Sequence, residues 1–274
     1  MIYIFVFLIC LAIGSFINVV RYRLPENISI IYPRSFCFEC ETKIKWFDNV
    51  PILSWLFLKG KCRFCQIPIS FQYPLVEILY GFIGTYSFYK VYESKYDFLE
   101  VLYVVLLSSI LLSISLIDID HYWVPDSLCK CLIFLGIVSN LFSNNSFCTQ
   151  NIFQAIFRLT ISLFFYYLIK LILIFQENKL RIKLIGLGDI KLYSISIIWF
   201  GLNGFLSAFL ISINLGMIIG VIGRISKQIK PLQKVPFAPF ISIGMWLTLI
   251  FGSKFWLNLW LSFGSSISNN LLIK

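Results

Sequence analysis

Residues 101–126 read VLYVVLLSSILLSISLIDIDHYWVPD, an uncharged run from Val101 to Ile117 followed at once by Asp118, Asp120 and, beyond Pro125, Asp126. At 1.5 Å of rise per residue, about 20 apolar residues in a helix cross the hydrocarbon core of a bilayer. The run therefore predicts a transmembrane helix, and the aspartates mark where it leaves the membrane. Composition extends that reading to the whole chain. Of 274 residues, 59% are hydrophobic and only 13% charged, too little polar surface to coat soluble domains. Disorder, coiled coil and β-barrel fit less well, and the expected class is an all-α polytopic membrane protein.

Hydropathy places spans near 2–20, 75–92, 98–117, 127–142, 152–175, 190–206, 207–223 and 236–262. Eight is the expected number. Seven or nine stays open, because Gly201 and Gly204 lie between the sixth and seventh, and Gly252, Ser253 and Lys254 interrupt the last. No basic residue precedes the first apolar run, and Arg21 and Arg23 follow it. It is expected to be retained as a first helix with its N-terminus outside. The inside segments are then 21–74, 118–126, 176–189 and 224–235. They carry Arg21, Arg23, Arg34, Lys43, Lys45, Lys59, Lys61 and Arg63, then Lys179, Arg181 and Lys183, then Arg224, Lys227, Lys230 and Lys234. That is most of the 23 basic residues, as the positive-inside rule requires. The excess over 13 acidic residues reports orientation and contact with anionic lipid; no nucleic-acid partner is expected.

The expected divisions are a first helix at 1–20, a cytoplasmic insert at 21–74 and a membrane domain at 75–274. The insert carries Cys37-Phe-Glu-Cys40 and Cys62-Arg-Phe-Cys65. Two CxxC knuckles can complete a tetrahedral thiolate site for zinc. A domain this small also needs such a staple. Disulfides or a redox pair are the alternatives, disfavoured in a reducing compartment without a thioredoxin-like pattern. Cys10, Cys129, Cys131 and Cys148 are read as small apolar residues without a role.

Four carboxylates lie at inside ends of helices: Asp118, Asp120, Asp126 and, after Gly186-Leu-Gly188, Asp189. An acidic residue at membrane depth ordinarily faces a wet cavity and has a task. At a helix end it can also simply complement the helix dipole, so placement alone leaves both readings open. Gly186 and Gly188 leave a side-chain-free approach to Asp189. Two neighbouring carboxylates can share a proton and act as an aspartic dyad. Rival chemistries have little to build on: His121 is the only histidine, and neither GxSxG nor HExxH occurs.

Gly14-Ser15-Phe-Ile-Asn18 through Arg23-Leu-Pro25, both CxxC pairs, Trp46 to Trp55, Lys59-Gly-Lys-Cys62, Tyr73-Pro-Leu-Val-Glu77, the Asp118–Asp126 segment, Gly186-Leu-Gly-Asp189-Ile-Lys191 and Pro236-Phe-Ala-Pro-Phe240 occur in order. Together they resemble the bacterial type IV prepilin peptidases, over about residues 14–245. One departure is Phe38, where the family often has proline after the first cysteine. The resemblance implies an intramembrane aspartic endopeptidase of the cytoplasmic membrane that removes the leader of prepilins and pseudopilins. It further implies N-methylation of the new N-terminus with S-adenosylmethionine, and zinc on Cys37, Cys40, Cys62 and Cys65. Matched motif to motif, the catalytic pair falls on Asp118 and Asp189, with Asp120 the rival for the first position and Asp120, Asp126, Gly186, Gly188 and Lys191 as the supporting loops. Gly14, Ser15, Asn18 and Glu77 are candidates for holding cosubstrate or substrate, although helix packing and capping explain such residues as well. From another class, a membrane carrier with a zinc-binding insert is the alternative; it should hold its carboxylates near the midplane.

Overall fold

The computed structural model describes residues 1–93, 98–142, 149–180, 186–226, 234–258 and 260, without the side chains of 149, 150 and 177–180. Cys148, Arg181, Lys183, Lys227 and Lys230, named above, lie outside the described residues. The described chain is helical, with two isolated antiparallel bridges. The helices are α1 (Ile2–Arg23), α2 (Leu53–Phe57), α3 (Gln72–Glu93), α4 (Phe98–His121), α5 (Asp126–Leu141), α6 (Thr149–Leu180), α7 (Leu187–Ile225) and α8 (Ala238–Phe251). Four of them contain a stretch long and apolar enough to cross a membrane: α1, α4, residues 151–176 of α6, and α7; α8 is a shorter apolar helix. The described structure thus has four candidate spans, against the eight expected.

The chain forms two compact units, residues 1–117 and 118–274. In the first, α1 and α3 pack closely through glycines. A Cβ on Gly14 would lie 2.8 Å from the Glu77 Cα, and one on Gly84 would lie 2.6 Å from the Cys10 sulfur. Small residues that admit such approach are how membrane helices associate when no hydrophobic driving force separates them from lipid. Cys10, Ile17, Val76 and Tyr80 form the buried seam. The Tyr80 hydroxyl donates 2.7 Å to the Val105 carbonyl on α4, so the polar end of a buried ring is satisfied. Between α1 and α3 the chain leaves the bundle and forms the cysteine-bearing insert.

In the second unit, sequence places the sixth and seventh spans apart at 206/207, whereas the structure breaks α7 at Gly201 (φ 68°, ψ −172°). Only glycine adopts that conformation without strain. The two arms fold back on each other: the Tyr193 hydroxyl and the Ser212 hydroxyl are 2.6 Å apart, although 19 residues of straight helix would separate them by about 28 Å. The carbonyls freed at the break are taken up by side chains. Asn140 Nδ2 donates to the Ile198 carbonyl at 2.8 Å, and Arg158 Nη1 donates to Asn140 Oδ1 at 2.5 Å and to the Trp199 carbonyl at 3.3 Å. Carbonyls released from a helix and kept from water need donors from the protein, and these side chains supply them.

The second arm of α7 packs on α8 with Gly244 against the Ala208 carbonyl, only 2.5 Å from where a Cβ would stand. Gly244→Ala should therefore force the helices apart and cost about 1–3 kcal/mol. Gly220→Ala, at a site with nothing within 4 Å, should be neutral or slightly stabilising. Unfolding of the two variants in detergent checks the contrast.

Candidate functional site

Asp118 sits in the last turn of α4 and is 6% exposed. Its Oδ2 accepts the Ala238 N–H at 3.1 Å, and the Phe237 amide bonds to the same carboxylate. Both amides belong to the start of α8, where Phe237 is the N-cap and proline follows within the first turn. The first amides of a helix have no intrahelical acceptor, and a carboxylate placed before them satisfies both donors and dipole. The Pro236-Phe-Ala-Pro-Phe240 segment thus provides two backbone donors and a helix start at one point.

Asp189 occupies the first turn of α7, whose N-cap is Gly186. Its carboxylate reaches back to the Gly186 amide, as an acidic residue three positions after a cap does. A Cβ on Gly186 would stand 3.1 Å from Asp189 Oδ2, and a Cβ on Gly188 only 2.7 Å from Val124. The two glycines therefore let the carboxylate fold over the cap and bring α7 against the 122–125 loop. Asp118 and Asp189 are close enough for the charge on one to act on the other. Of the other loop residues, Asp126 pairs with Lys191 (2.5 Å) across the first turns of α5 and α7, while Asp120 is exposed on α4.

The insert holds a second cluster. Residues 36–43 and 61–68 form matching hairpins. Each is closed by an antiparallel bridge, with the first cysteine's amide donating five residues ahead, Cys37 to Thr42 and Cys62 to Ile67, and a left-handed residue after the second cysteine, Glu41 and Gln66. The four sulfurs lie within 4.8 Å of one another. Cys37 to Cys65 is 3.7 Å and Cys40 to Cys62 is 4.0 Å. A tetrahedron with zinc–sulfur arms of about 2.3 Å has edges of about 3.8 Å, so the set fits the ion. Hydrogen bonds from Thr42 pull Cys40 down to about 6, and the Cys65 and Phe64 amides lower Cys62. Cys65 is pushed up to about 12 despite the Ile67 amide, through desolvation and the neighbouring thiols. Four thiolates cannot share so small a volume without a cation. Beside them, Arg63 grips Asp48 through two hydrogen bonds, 2.7 and 2.5 Å, and holds its carboxyl below the usual range.

Between the insert and the α1–α3 pair lies a cavity of about 390 Å³, with Ser15, Asn18, Tyr73 and Glu77 among its walls and aromatic rings from Tyr22, Phe36 and Phe38. Asn18 Nδ2 donates to the Tyr73 carbonyl at 3.1 Å, and Glu77 Oε2 accepts the Ile52 amide at 2.7 Å. Gly14 supplies the close approach beneath Glu77. The structure thus brings the sequence-predicted residues to three places: Asp118 and Asp189 together, the four cysteines together, and Ser15, Asn18 and Glu77 around one cavity, with Gly14 against the Glu77 backbone. The amides of Phe237, Ala238 and Ile52 were not foreseen. They carry no side-chain signal, although the proline flanking Ala238 on its C-terminal side hinted at a helix start.

Among known proteins, residues 8–91 match the Bacterial Peptidase A24 N-terminal domain, and residues 105–221 match the Type IV leader peptidase family. The chain is 31% identical to the type 4 prepilin-like proteins leader peptide-processing enzyme of Escherichia coli O78:H11 (strain H10407 / ETEC), across 85% of this chain and 88% of that protein. It is 30% identical to the prepilin leader peptidase/N-methyltransferase of Legionella pneumophila, covering 92% of each, and 29% identical to that of Stutzerimonas stutzeri, covering 89% of each. No solved structure matches it.

Proposed function

The chain belongs to the type IV leader peptidase family, and we propose that it cleaves the leader from prepilins and pseudopilins with Asp118 and Asp189 as its catalytic carboxylates. The observation that carries the residue assignment is the pairing of these two groups at helix ends, each held by backbone amides and within reach of the other's charge. In such a pair one carboxylate takes a proton from the attacking water while the other donates to the leaving amide nitrogen. Burial of Asp118 against exposure of Asp120 supports Asp118 as the first member. The Asp126–Lys191 pair would hold the starts of α5 and α7 around them. Eight crossings follow if α1, α3, α4, α5, α6, both arms of α7 and α8 each span the cytoplasmic membrane. The N-terminus is then outside, the 21–74 insert is cytoplasmic, and 75–274 is the peptidase part. A scissile bond at the cytoplasmic end of a pilin's membrane helix meets the carboxylates at that depth.

The relatives' names include N-methyltransferase, and the same activity is proposed for this chain, with S-adenosylmethionine as donor and the cavity bordered by Ser15, Asn18 and Glu77 as its place. Gly14 holds α1 and α3 close at that point. Zinc on Cys37, Cys40, Cys62 and Cys65 would fold the insert that forms one side of this cavity, since structural zinc supplies folding free energy to small domains.

Purified protein incubated with a prepilin peptide and S-adenosylmethionine should yield, by mass spectrometry, both the cleaved product and a methyl increment. Asp118→Asn and Asp189→Asn should each lower cleavage by about 10³-fold or more, a loss of general acid–base chemistry, while Asp120→Asn is milder. Substantial turnover in either variant removes that residue from the dyad. Elemental analysis should find one zinc per chain; its absence, or a Cys37–Cys40 disulfide in freshly isolated protein, overturns the metal assignment. Given a precleaved peptide, Asp189→Asn should still methylate it and Cys62→Ser should not.

A further inference from the structure

The methyl-transfer reading leaves open what the chain does with the acceptor amine. Three carboxylates border the cavity of the first unit, and one of them, Glu39, is exposed to solvent. Asp48 is already matched by the Arg63 guanidinium. Glu77 is different: it is 7% exposed, and its hydrogen bonds come from neutral donors, the Ile52 amide and the Ser15 hydroxyl. A buried carboxylate held only by neutral donors has no opposing charge of its own, and an entering cation would supply one.

The Ile52 donor is itself held at a cost. Ile52 has φ 61° and ψ −53°, and the Leu53 amide bonds back to the Pro51 carbonyl at 2.6 Å, forming a γ-turn centred on a β-branched residue. Such a conformation is strained for isoleucine and persists only when its surroundings over-determine it. Here it turns one amide out of the chain and onto Glu77. Gly14 lets α1 lie against the Glu77 backbone, so α3 is held close to α1 at the residue that carries this carboxylate. Tyr22, Phe36 and Phe38 are also among the lining residues, beside Arg23 and Lys43, and offer apolar surface to a terminal side chain.

We propose that this cavity receives the free N-terminus of the cleaved peptide and that Glu77 is the catalytic residue that binds its ammonium group and takes one proton from it. The proposal rests on the methyltransferase reading above. An ammonium nitrogen has no lone pair and cannot accept a methyl group. Glu77 accepts the N–H proton; the freed nitrogen pair forms the new N–C bond with the methyl carbon of a methylsulfonium donor. The C–S bond breaks with its electrons left on sulfur as a thioether. The proton leaves Glu77 for water as the products depart, so one ammonium and one sulfonium give one methylammonium, one thioether and one proton.

The test uses the full chain in detergent and begins without a variant or a donor. A precleaved pilin peptide with a free N-terminus should bind wild-type protein about 10-fold or more tighter than the same peptide N-acetylated, the scale of a charge-assisted hydrogen bond. Glu77→Gln keeps an oxygen for the Ile52 amide; it should melt like the wild type and bind both peptides equally. With S-adenosylmethionine added, its methyl transfer to the free peptide should fall by at least about 100-fold. Equal binding of the two peptides by the wild type overturns the proposal, whether or not methylation is seen. So does a Glu77→Gln protein that still discriminates or methylates within about twofold. A wild type that discriminates between the peptides but transfers no methyl group would instead sink the methyltransferase reading and leave Glu77 as a site for an N-terminal ammonium.

Discussion

The hydrogen bond from the Ala238 amide to Asp118 joins the end of α4 to the start of α8 across 120 residues, and the second unit is organised around it. A carboxylate at a membrane helix end needs donors, and a helix start needs acceptors. Each supplies what the other lacks. Once α8 is fixed there, its glycine-bearing face meets the second arm of α7. The first arm then begins at Gly186, beside the 122–125 loop that follows α4. The site and the packing of the unit are thus consequences of the same contact.

The same demand for internal satisfaction governs the break in α7. Reversing a helix frees carbonyls that must find donors elsewhere in the protein. Asn140 and Arg158 take those carbonyls, at the cost of half-burying a guanidinium. The return is a pair of antiparallel arms whose apposed Tyr193 and Ser212 hydroxyls satisfy each other within the fold.

What could be read in the sequence follows from which interactions are local. Apolar runs and charge flanks are local, so α1, α3, α4, α5 and α6 lie close to the expected ranges. CxxC spacing is local too, and the four sulfurs converge as the motif requires. The glycines at 201 and 204 flagged a break, but hydropathy set the division at 206/207, because Leu202, Phe205 and Leu206 carry the apolar signal across the turn. Asp118 and Asp120 are alike in sequence. Only the arrival of α8, more than a hundred residues later, buries one and leaves the other exposed. The Ile52 turn was illegible for a similar reason, since nothing in Pro-Ile-Leu announces a left-handed isoleucine until Glu77 takes its amide.

Five of the acidic side chains described above divide by what holds them. Asp48 and Asp126 are held by cations, Arg63 and Lys191, and a carboxylate neutralised in this way is committed to structure. Asp118, Asp189 and Glu77 are held by backbone amides, of Ala238, Gly186 and Ile52. An amide fixes position and tolerates the charge without supplying an opposing one, so the group stays able to gain and lose a proton. The proposed roles fall on the second set alone. Both chemistries proposed for this chain, opening a peptide bond and freeing an amine for methylation, begin with a proton passing to a carboxylate. Under these proposals the carboxylates that exchange protons are the amide-held ones, a pair in one unit and a single group in the other.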